Sequence, residues 1–339
     1  METVITGSIA YDYLMRFPGR FTDHLLDGHL HHLSVSFLVE DMTRHWGGTA
    51  ANIAYTAALL GLRPRLMGTV GSDFGDYRAW LESSGVDTSA VRQIDTLFTA
   101  SFFANTDLDN NQIASFYAGA MTCARDYRLA ELEGAAAELV FISPNDPVAM
   151  LQLAKECREA GVPFVCDPSQ QVARFDGVQL RELMRGAWVL VMNVYEAGMI
   201  CQKTGLDQES LVNSFPIVLI TRGADGVEVH EDGERKHVAP FPVSRIEDPT
   251  GAGDAFRGGV LCGLVAGWPL VLSARVGALC ASYALEKTGT QSHCFAIGEF
   301  IERFRQSADD GGYLEQLQGV EEDAGNVSTL RQIRSGDRE

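Results

Sequence analysis

The chain has 339 residues, 46% of them hydrophobic, with a formal charge of −18 and an isoelectric point near 4.8. That length suits one large α/β domain with an appendage, or two domains, and the apolar fraction is ordinary for a globular core. The acidic balance argues against nucleic acid or an anionic membrane as a partner, so a polyanionic substrate must be held by local amides, a few cations and Mg²⁺.

In chain order, Met1 to Ala10 reads as a strand carrying Val4, Ile5 and Ile9 around Gly7-Ser8. Residues 20–45 alternate irregularly, with a short strand expected at Val35–Val39. Gly47-Gly48 opens a small-residue helix over Ala50–Leu60; a core strand at Leu66–Val70 and a helix over Phe74–Leu81 follow. Thr99–Ala104 and Gln112–Tyr117, separated by the polar Asp107–Asn111, form an expected hairpin. From residue 139 the pattern becomes strand–helix, with strands at Leu139–Ser143, Phe164–Cys166, Val189–Met192 and Ile217–Thr221. Helices are expected near 147–160, 178–185, 195–203 and 207–213, then strands at 227–230 and 236–239 and helices from about 252, 269 and 295. This rhythm predicts an α/β fold, a doubly wound, mostly parallel sheet. The early strands do not fit that order and predict a small inserted β lid, in segments of about 11–45 and 95–120. Residues 1–306 would be the folded domain. Residues 307–339 carry eight carboxylates against three arginines and read as a frayed acidic tail.

Seven cysteines, an odd set without a CxxC pair, fit buried free thiols in a reducing compartment. His29, His31 and His32 cluster in a polar stretch that reads more simply as a solvated loop than as a metal site. The N-terminus lacks the basic-then-apolar order of a signal peptide and no long apolar run occurs, which predicts a cytoplasmic protein without a membrane partner.

The most informative stretch is Asp248-Pro249-Thr250-Gly251-Ala252-Gly253-Asp254, which runs into the apolar pattern of a helix. Gly251, Ala252 and Gly253 would present backbone N–H groups at a helix N-terminus, where the dipole favours an anion. Asp254 would lie in the first turn beside that anion. An anion cradle next to a proton acceptor is what moving a phosphoryl group onto a hydroxyl requires. Close packing would explain the glycines but not the flanking carboxylates. In open α/β sheets ligands bind beyond the carboxyl ends of parallel strands, where Asp167, Asn193 and Thr221 fall. The turn Thr221-Arg222-Gly223-Ala224-Asp225-Gly226 suits nucleotide phosphates, although TxGxxG also makes an ordinary hairpin. Asn193 and Glu196 stand three apart at a helix start, placed to hold water around Mg²⁺ or simply to cap the helix.

Together these pieces resemble the ribokinase-like (PfkB-type) family of sugar and nucleoside kinases. Two family signatures are present, Gly47-Gly48-Thr49-Ala50-Ala51-Asn52 and Asp248 to Gly259, and the likeness covers about residues 1–305. Within the family the chain is most similar to bacterial adenosine kinases of the actinobacterial type. That closer likeness rests on residues 7–12, 16–21, 36–39, 112–117 and 167–171. The resemblance implies adenosine kinase activity, with ATP as co-substrate and Mg²⁺ as cofactor. Asp254 would be the base for the ribose 5′-hydroxyl, and Gly251, Ala252 and Gly253 the anion hole. Asp12, Asn52 and the Gly48 amide would hold the ribose hydroxyls; Ser8, Ser36, Gln170 and Gln171 would line the nucleoside pocket. Phe102 and Phe116 would sandwich the purine, and Arg174 would pair with a phosphate. Asn193 and Glu196 would organise Mg²⁺, and Thr221, Arg222, Gly223, Ala224, Asp225 and Gly226 would hold ATP. In some relatives a monovalent cation such as K⁺ sits between the Asp248–Thr250 loop and Thr288-Gly289-Thr290-Gln291. The resemblance also implies a homodimer formed through the lids; the acidic tail departs from the family pattern.

Three rival readings lose ground on the residues. A free-sugar kinase, or a kinase for another purine nucleoside, differs by whether the lid aromatics have a flat base to cover. A nicotinamide dehydrogenase would need GxGxxG, and a P-loop kinase GxxxxGK[ST]; neither motif occurs. A catalytically dead binding protein would not need Asp254 behind an intact glycine turn.

Overall fold

The computed structural model describes residues 1–24 and 34–318. The chain begins with β1 (Thr3–Thr6), leaves the core at Gly7-Ser8 and runs into β2 (Ala10–Arg16) and β3 (Asp41–Gly47). It returns as α1 (Thr49–Leu59), β4 (Arg65–Gly71), α2 (Gly75–Ser83) and β5 (Val91–Ile94), then departs again for β6 (Ala100–Thr106) and β7 (Gln112–Tyr117). The alternating part is β8 (Leu139–Ile142), α3 (Pro147–Ala160), β9 (Phe164–Cys166), α4 (Gly177–Met184), β10 (Val189–Asn193), α5 (Val194–Thr204) and α6 (Gln208–Val212). It closes with β11 (Ile217–Thr221), β12 (Val227–Glu231), β13 (Glu234–Val238), α7 (Ala252–Val265), α8 (Leu270–Leu285) and α9 (Ile297–Arg305).

Among the described residues the strands form two sheets. The large one has the order β13-β12-β11-β10-β9-β8-β1-β4-β5 and is parallel from β11 to β5, with β12 and β13 added antiparallel at one edge. Its strands are near-continuous apolar runs because both faces are covered. In β8, Leu139 and Phe141 pack on the face shared with α1, α7, α8 and α9, while Val140 and Ile142 pack on the face shared with α3, α4 and α5. The chain therefore has the α/β, doubly wound, mostly parallel architecture expected of it.

The second sheet is the lid, in the order β3-β2-β6-β7. Its two excursions, residues 10–47 and 100–117, meet where β2 pairs parallel with β6. One expected strand is wrong. The apolar run Val35–Val39 is not a strand; its Phe37 joins a ring cluster with Phe17 and Phe21, and the ladder to β2 is made by residues 41–47, from Ala10↔Gly47 to Arg16↔Asp41. Phe37 alone anchors the run while Leu38 is 85% exposed, and the apolar pattern by itself does not distinguish such a segment from a strand. His29, His31 and His32 lie outside the described residues.

The helix that carries Asp254 is held unusually close to its neighbours. A Cβ on Gly258 would stand 2.7 Å from Thr56 Cβ of α1, and one on Gly259 would stand 2.7 Å from the Gly277 Cα of α8. Such backbone contact is open only to glycine, and it seats the N-terminus of α7 against both helices.

Part of the segment grouped with the acidic tail packs on the core. Residues 313–317 form a short 3-10 helix with Leu314 and Leu317 buried, Gln316 accepts from Trp268 Nε1 at 2.9 Å, and Asp310 pairs with Arg305 at 3.0 Å. Residues 319–339 lie outside the described residues. No helix among the described residues is long and apolar enough to cross a membrane. Cys157, Cys166, Cys262 and Cys280 are buried free thiols.

Candidate active site

The α7 N-terminus is built by a left-handed glycine. Gly251 has φ +81°, and a Cβ there would press on Thr290 at 2.9 Å, so the turn admits little else. No side chain caps this end, and Ala252 N makes only a long bond of 3.4 Å to the Pro249 carbonyl, so the N–H groups of the Gly251–Gly253 turn are placed where an anion could take them up. Asp248 braces the turn from behind: its carboxylate accepts from Thr250 N at 2.8 Å and Gly289 N at 3.1 Å. Burial acts to raise its pKa, but those donors outweigh it and hold it below the usual carboxylate value. The Asp248–Thr250 loop and the Thr288–Gln291 loop are thereby joined.

Asp254 sits in the first turn of α7, with Oδ2 accepting from Asn52 Nδ2 at 2.8 Å. Burial raises its pKa above the ordinary carboxylate value, against the pull of Arg257 and the Asn52 hydrogen bond. A carboxylate so shifted is a better proton acceptor at neutral pH than a free one. Asp12, from β2, reaches the same place. Its pKa is pushed up to about 6 by burial and by the neighbouring carboxylates of Asp254 and Asp248. Gly47 makes room for it, since a Cβ there would lie 2.5 Å from Asp12 Oδ2. Gly48 takes φ +93° hard against the Ser8 carbonyl, and Ser8 Oγ accepts from Thr49 N at 3.0 Å. The structure thus brings Ser8, Asp12, Gly48, Asn52 and Asp254 to one cleft between lid and core.

Beneath the glycine turn lies a buried ion pair that the sequence reading missed. Arg257 meets Asp167 through Nε at 2.6 Å and Nη2 at 2.9 Å, and both side chains are almost wholly enclosed. The Arg257 guanidinium stays charged, because the carboxylates of Asp167, Asp254 and Glu196 outweigh the cost of burying it. Its Nη1 lies 2.8 Å from where a Gly253 side chain would begin. The available signal was an arginine three residues after the candidate base, one helical turn on.

Asn193 and Glu196 form a reciprocal capping box on α5: Glu196 N donates to Asn193 Oδ1 at 2.8 Å and Asn193 N to Glu196 Oε2 at 2.7 Å. The capping role is therefore real. It holds the buried Glu196 carboxylate close enough to Asp254 and Asp167 to influence both. Among the described residues no group of three or more His, Cys, Asp or Glu side chains forms a metal cage. Mg²⁺ commonly takes one or two carboxylates and completes its shell with water and phosphate, so this donor set fits that ion.

The Thr221–Gly226 turn follows β11, beside Asn193 in the parallel register. Gly226 N donates to the Gly223 carbonyl at 3.1 Å, and Arg222 N to the Gly226 carbonyl at 2.8 Å. The Arg222 side chain folds back on the buried Glu228 at 2.7 Å, which Arg235 also engages. Gly223, Ala224 and Asp225 form one 3-10 turn with His237 Nε2 2.7 Å from the Asp225 carbonyl.

On the lid, register settles which residues share a face. His45, Asp12, Phe102 and Phe116 stand directly opposite one another across β3-β2-β6-β7. Directly paired residues project to the same side of a sheet, so both phenylalanines lie on the face of Asp12. Phe116 is 53% exposed there. Ser36 is exposed on the stretch beside Phe37. After β9, Gln170 and Arg174 are exposed, whereas Gln171 is buried with Oε1 unpartnered.

A turn at the end of a parallel strand, a helix N-terminus without a side-chain cap and a half-buried carboxylate beside it are the parts that moving a phosphoryl group onto a hydroxyl calls for. The sequence profile of the PfkB family of carbohydrate kinases matches residues 8–296. A nucleoside kinase of Methanothermobacter thermautotrophicus is 31% identical over 312 residues, 89% of this chain and 95% of that protein. A cytidine kinase of Thermococcus kodakarensis is 31% identical over 257 residues, 73% of this chain and 90% of that one. The structure of Burkholderia thailandensis nucleoside kinase in complex with inosine superposes with a TM-score of 0.80 at 35% identity, covering 90% of this chain and 97% of the other. The same enzyme is known with ADP and inosine, at a TM-score of 0.78 and 36% identity over 90% of this chain and 95% of that one. The chain belongs to the PfkB, ribokinase-like family of carbohydrate kinases, and is accordingly a phosphotransferase that draws on ATP.

Proposed function

We propose that this protein is a nucleoside kinase that transfers the γ-phosphoryl group of ATP to the 5′-hydroxyl of adenosine, giving AMP and ADP. The observation that carries the reading is the single register row of Asp12, Phe102 and Phe116, whose Asp12 end lies beside Asp254. A carboxylate for vicinal hydroxyls and two ring faces for a base, on one lid surface, match a nucleoside better than a free sugar. The unpartnered Gln171 Oε1 supports it, since a buried acceptor left alone costs about 1–3 kcal/mol unless a donor such as a base N–H meets it.

In this reading Asp12 accepts from the ribose hydroxyls and Asn52, through its second Nδ2 hydrogen, helps orient them. Asp254 takes the 5′-hydroxyl proton as the oxygen attacks the γ-phosphorus, and ADP leaves from the opposite side. The backbone N–H groups at Gly251–Gly253 meet the charge on the transferred group, and Arg257 beneath them adds a positive charge that moves little because Asp167 holds it. Thr221–Gly226 holds the remaining phosphates. Mg²⁺, organised by Asn193 and Glu196 through water, would neutralise charge on the phosphate oxygens. The joined Asp248 and Gly289 loops are where a monovalent cation such as K⁺ would act.

A coupled assay of ATP consumption against adenosine, inosine, guanosine, cytidine and ribose tests the reading. Adenosine should give the highest kcat/KM. Inosine or guanosine ahead of it would assign the site to another purine nucleoside, and ribose ahead of every nucleoside would make it a sugar kinase.

A further inference from the structure

The orientation of the Asn52 amide decides whether Asp254 faces a hydrogen-bond donor or another oxygen, and groups far from the cleft fix it. Trp80 Nε1 donates to Gln291 Oε1 at 3.0 Å, Gln291 Nε2 donates to Asn52 Oδ1 at 2.9 Å, and Asn52 Nδ2 donates to Asp254 Oδ2 at 2.8 Å. The second Gln291 amide hydrogen goes to the Tyr77 hydroxyl, which itself donates to the Gly47 carbonyl at 2.8 Å. Both ends of this network run one way only. An indole N–H cannot accept and a backbone carbonyl cannot donate. Gln291 must therefore turn its oxygen to Trp80 and its nitrogen to Asn52 and Tyr77, and Asn52 must then turn its nitrogen to Asp254. Asn52, Gln291 and Tyr77 are all less than 5% exposed, so the inner part of the network is shielded from water, while its Trp80 end is half-buried and borders an open pocket that Gln291 also lines.

We propose that Gln291, oriented by Trp80 and Tyr77, is a positioning residue for phosphoryl transfer: it locks the Asn52 amide so that one Asp254 oxygen is held and the other is left for the acceptor hydroxyl. The proposal rests on Asp254 being the base. Sequence spacing held no sign of it, because Trp80, Gln291, Asn52 and Asp254 come from α2, a loop after α8, α1 and α7. The charged and titratable groups that face Asp254 are Arg257 on its own helix, Glu196 of α5, Asp12 of β2, Asp167 after β9 and the Tyr77 hydroxyl of α2. Of these only Tyr77 belongs to the relay, so changing Gln291 alters the Asn52 and Tyr77 contacts while leaving the other four in place.

The test compares Gln291→Glu, Trp80→Phe and Asp254→Asn with wild type, using ATP and whichever of adenosine or inosine the wild type turns over faster. The carboxylate that Gln291→Glu introduces cannot donate to Asn52, so the Asn52 amide turns its oxygen on Asp254. kcat should fall about ten- to a hundredfold, and the acid limb of its pH profile should move up by about one pH unit as the base loses its donor. Trp80→Phe removes the indole N–H together with part of the ring stacked near Tyr55; it should shift the limb in the same direction with about a fivefold loss in kcat, and it decides the matter if Gln291→Glu does not fold. An unmoved acid limb in both variants, or a change confined to KM, overturns the relay. Asp254→Asn separates the two ideas. Its inactivity alongside unmoved limbs sinks the relay alone, whereas near-normal kcat in Asp254→Asn sinks the base and the relay together.

Discussion

At the scale of residues, the site rests on a few carboxylates whose surroundings differ. Asp248 is stabilised in its charged form by backbone donors, while Asp254 and Asp12 are pushed the other way by burial. The first is suited to bracing a loop, the second to accepting a proton. In the proposed reaction Asp254→Asn keeps the shape and loses the base. General-base catalysis is worth roughly 10²- to 10⁴-fold, so single-turnover measurements should show kcat reduced at least about a hundredfold with nucleoside binding retained. The lid aromatics make a separable prediction. Stacking of a base on an aromatic side chain contributes about 1–3 kcal/mol, so Phe102→Ala and Phe116→Ala should each raise KM for adenosine about five- to a hundredfold and leave that for ATP unchanged. Equal KM values for adenosine in both variants and wild type would favour the free-sugar reading, since ribose has no face for the rings to cover.

At the scale of elements, the same helix uses glycine for two different ends. Gly253 lies exposed at the start of α7 above Arg257, while Gly259 touches the backbone of α8. Gly253→Val should disturb the guanidinium and the anion cradle together. Losing one such donor costs on the order of 3 kcal/mol in the barrier, so this variant should be nearly inactive with a thermal midpoint close to wild type. Gly259→Val overpacks a helix contact, which typically costs about 1–3 kcal/mol and can cost more, and should lower the midpoint by several degrees. Calorimetry beside the activity assay distinguishes them; loss of folding in Gly253→Val would make the cradle a packing device only.

At the scale of the whole molecule, one buried histidine ties acid stability to the fold. His293 is 1% exposed, with Nε2 3.0 Å from Thr56 Oγ1, and burial lowers its pKa from 6.5 to about 4. Below pH 6.5 the unfolded chain takes up this proton before the folded one does. The stabilisation is thus complete above about pH 6.5 and is lost as the pH falls toward 4, amounting to about 3 kcal/mol over that window. Urea titrations across it should show a shallower pH dependence for His293→Gln; an identical slope would remove His293 from the account. The outer lid face makes the other prediction. Met42, Phe103, Ile113 and Tyr117 are exposed on the side opposite Asp12, an apolar patch of the sort that another protein surface covers. A homodimer through this face should sediment as twice the chain mass, and Phe103→Asp with Ile113→Asp should return it to a monomer with a stable core.

What the sequence by itself determined was local chemistry and periodicity. The glycine turn before Asp254, the strand-ending Asp167, Asn193 and Thr221, and the alternation after residue 139 are written in neighbouring residues, and that strand–helix rhythm points to a mostly parallel sheet covered on both faces. The family likeness extended this to Asp12, Asn52 and the lid phenylalanines. Only the tertiary structure decided the rest. The run at Val35–Val39 carries no ladder; its Phe37 packs on Phe17 and Phe21 while residues 41–47 pair with β2, and ring packing and ladder formation draw on the same residue types. Residues 307–318 turned inward because Leu314 and Leu317 found an apolar surface on helices distant in sequence. Arg257 against Asp167, and Trp80 through Gln291 to Asn52, are contacts between elements tens to hundreds of residues apart. Hydrogen-bond direction and charge compensation depend on which groups meet in space, and a one-dimensional pattern carries no record of that meeting.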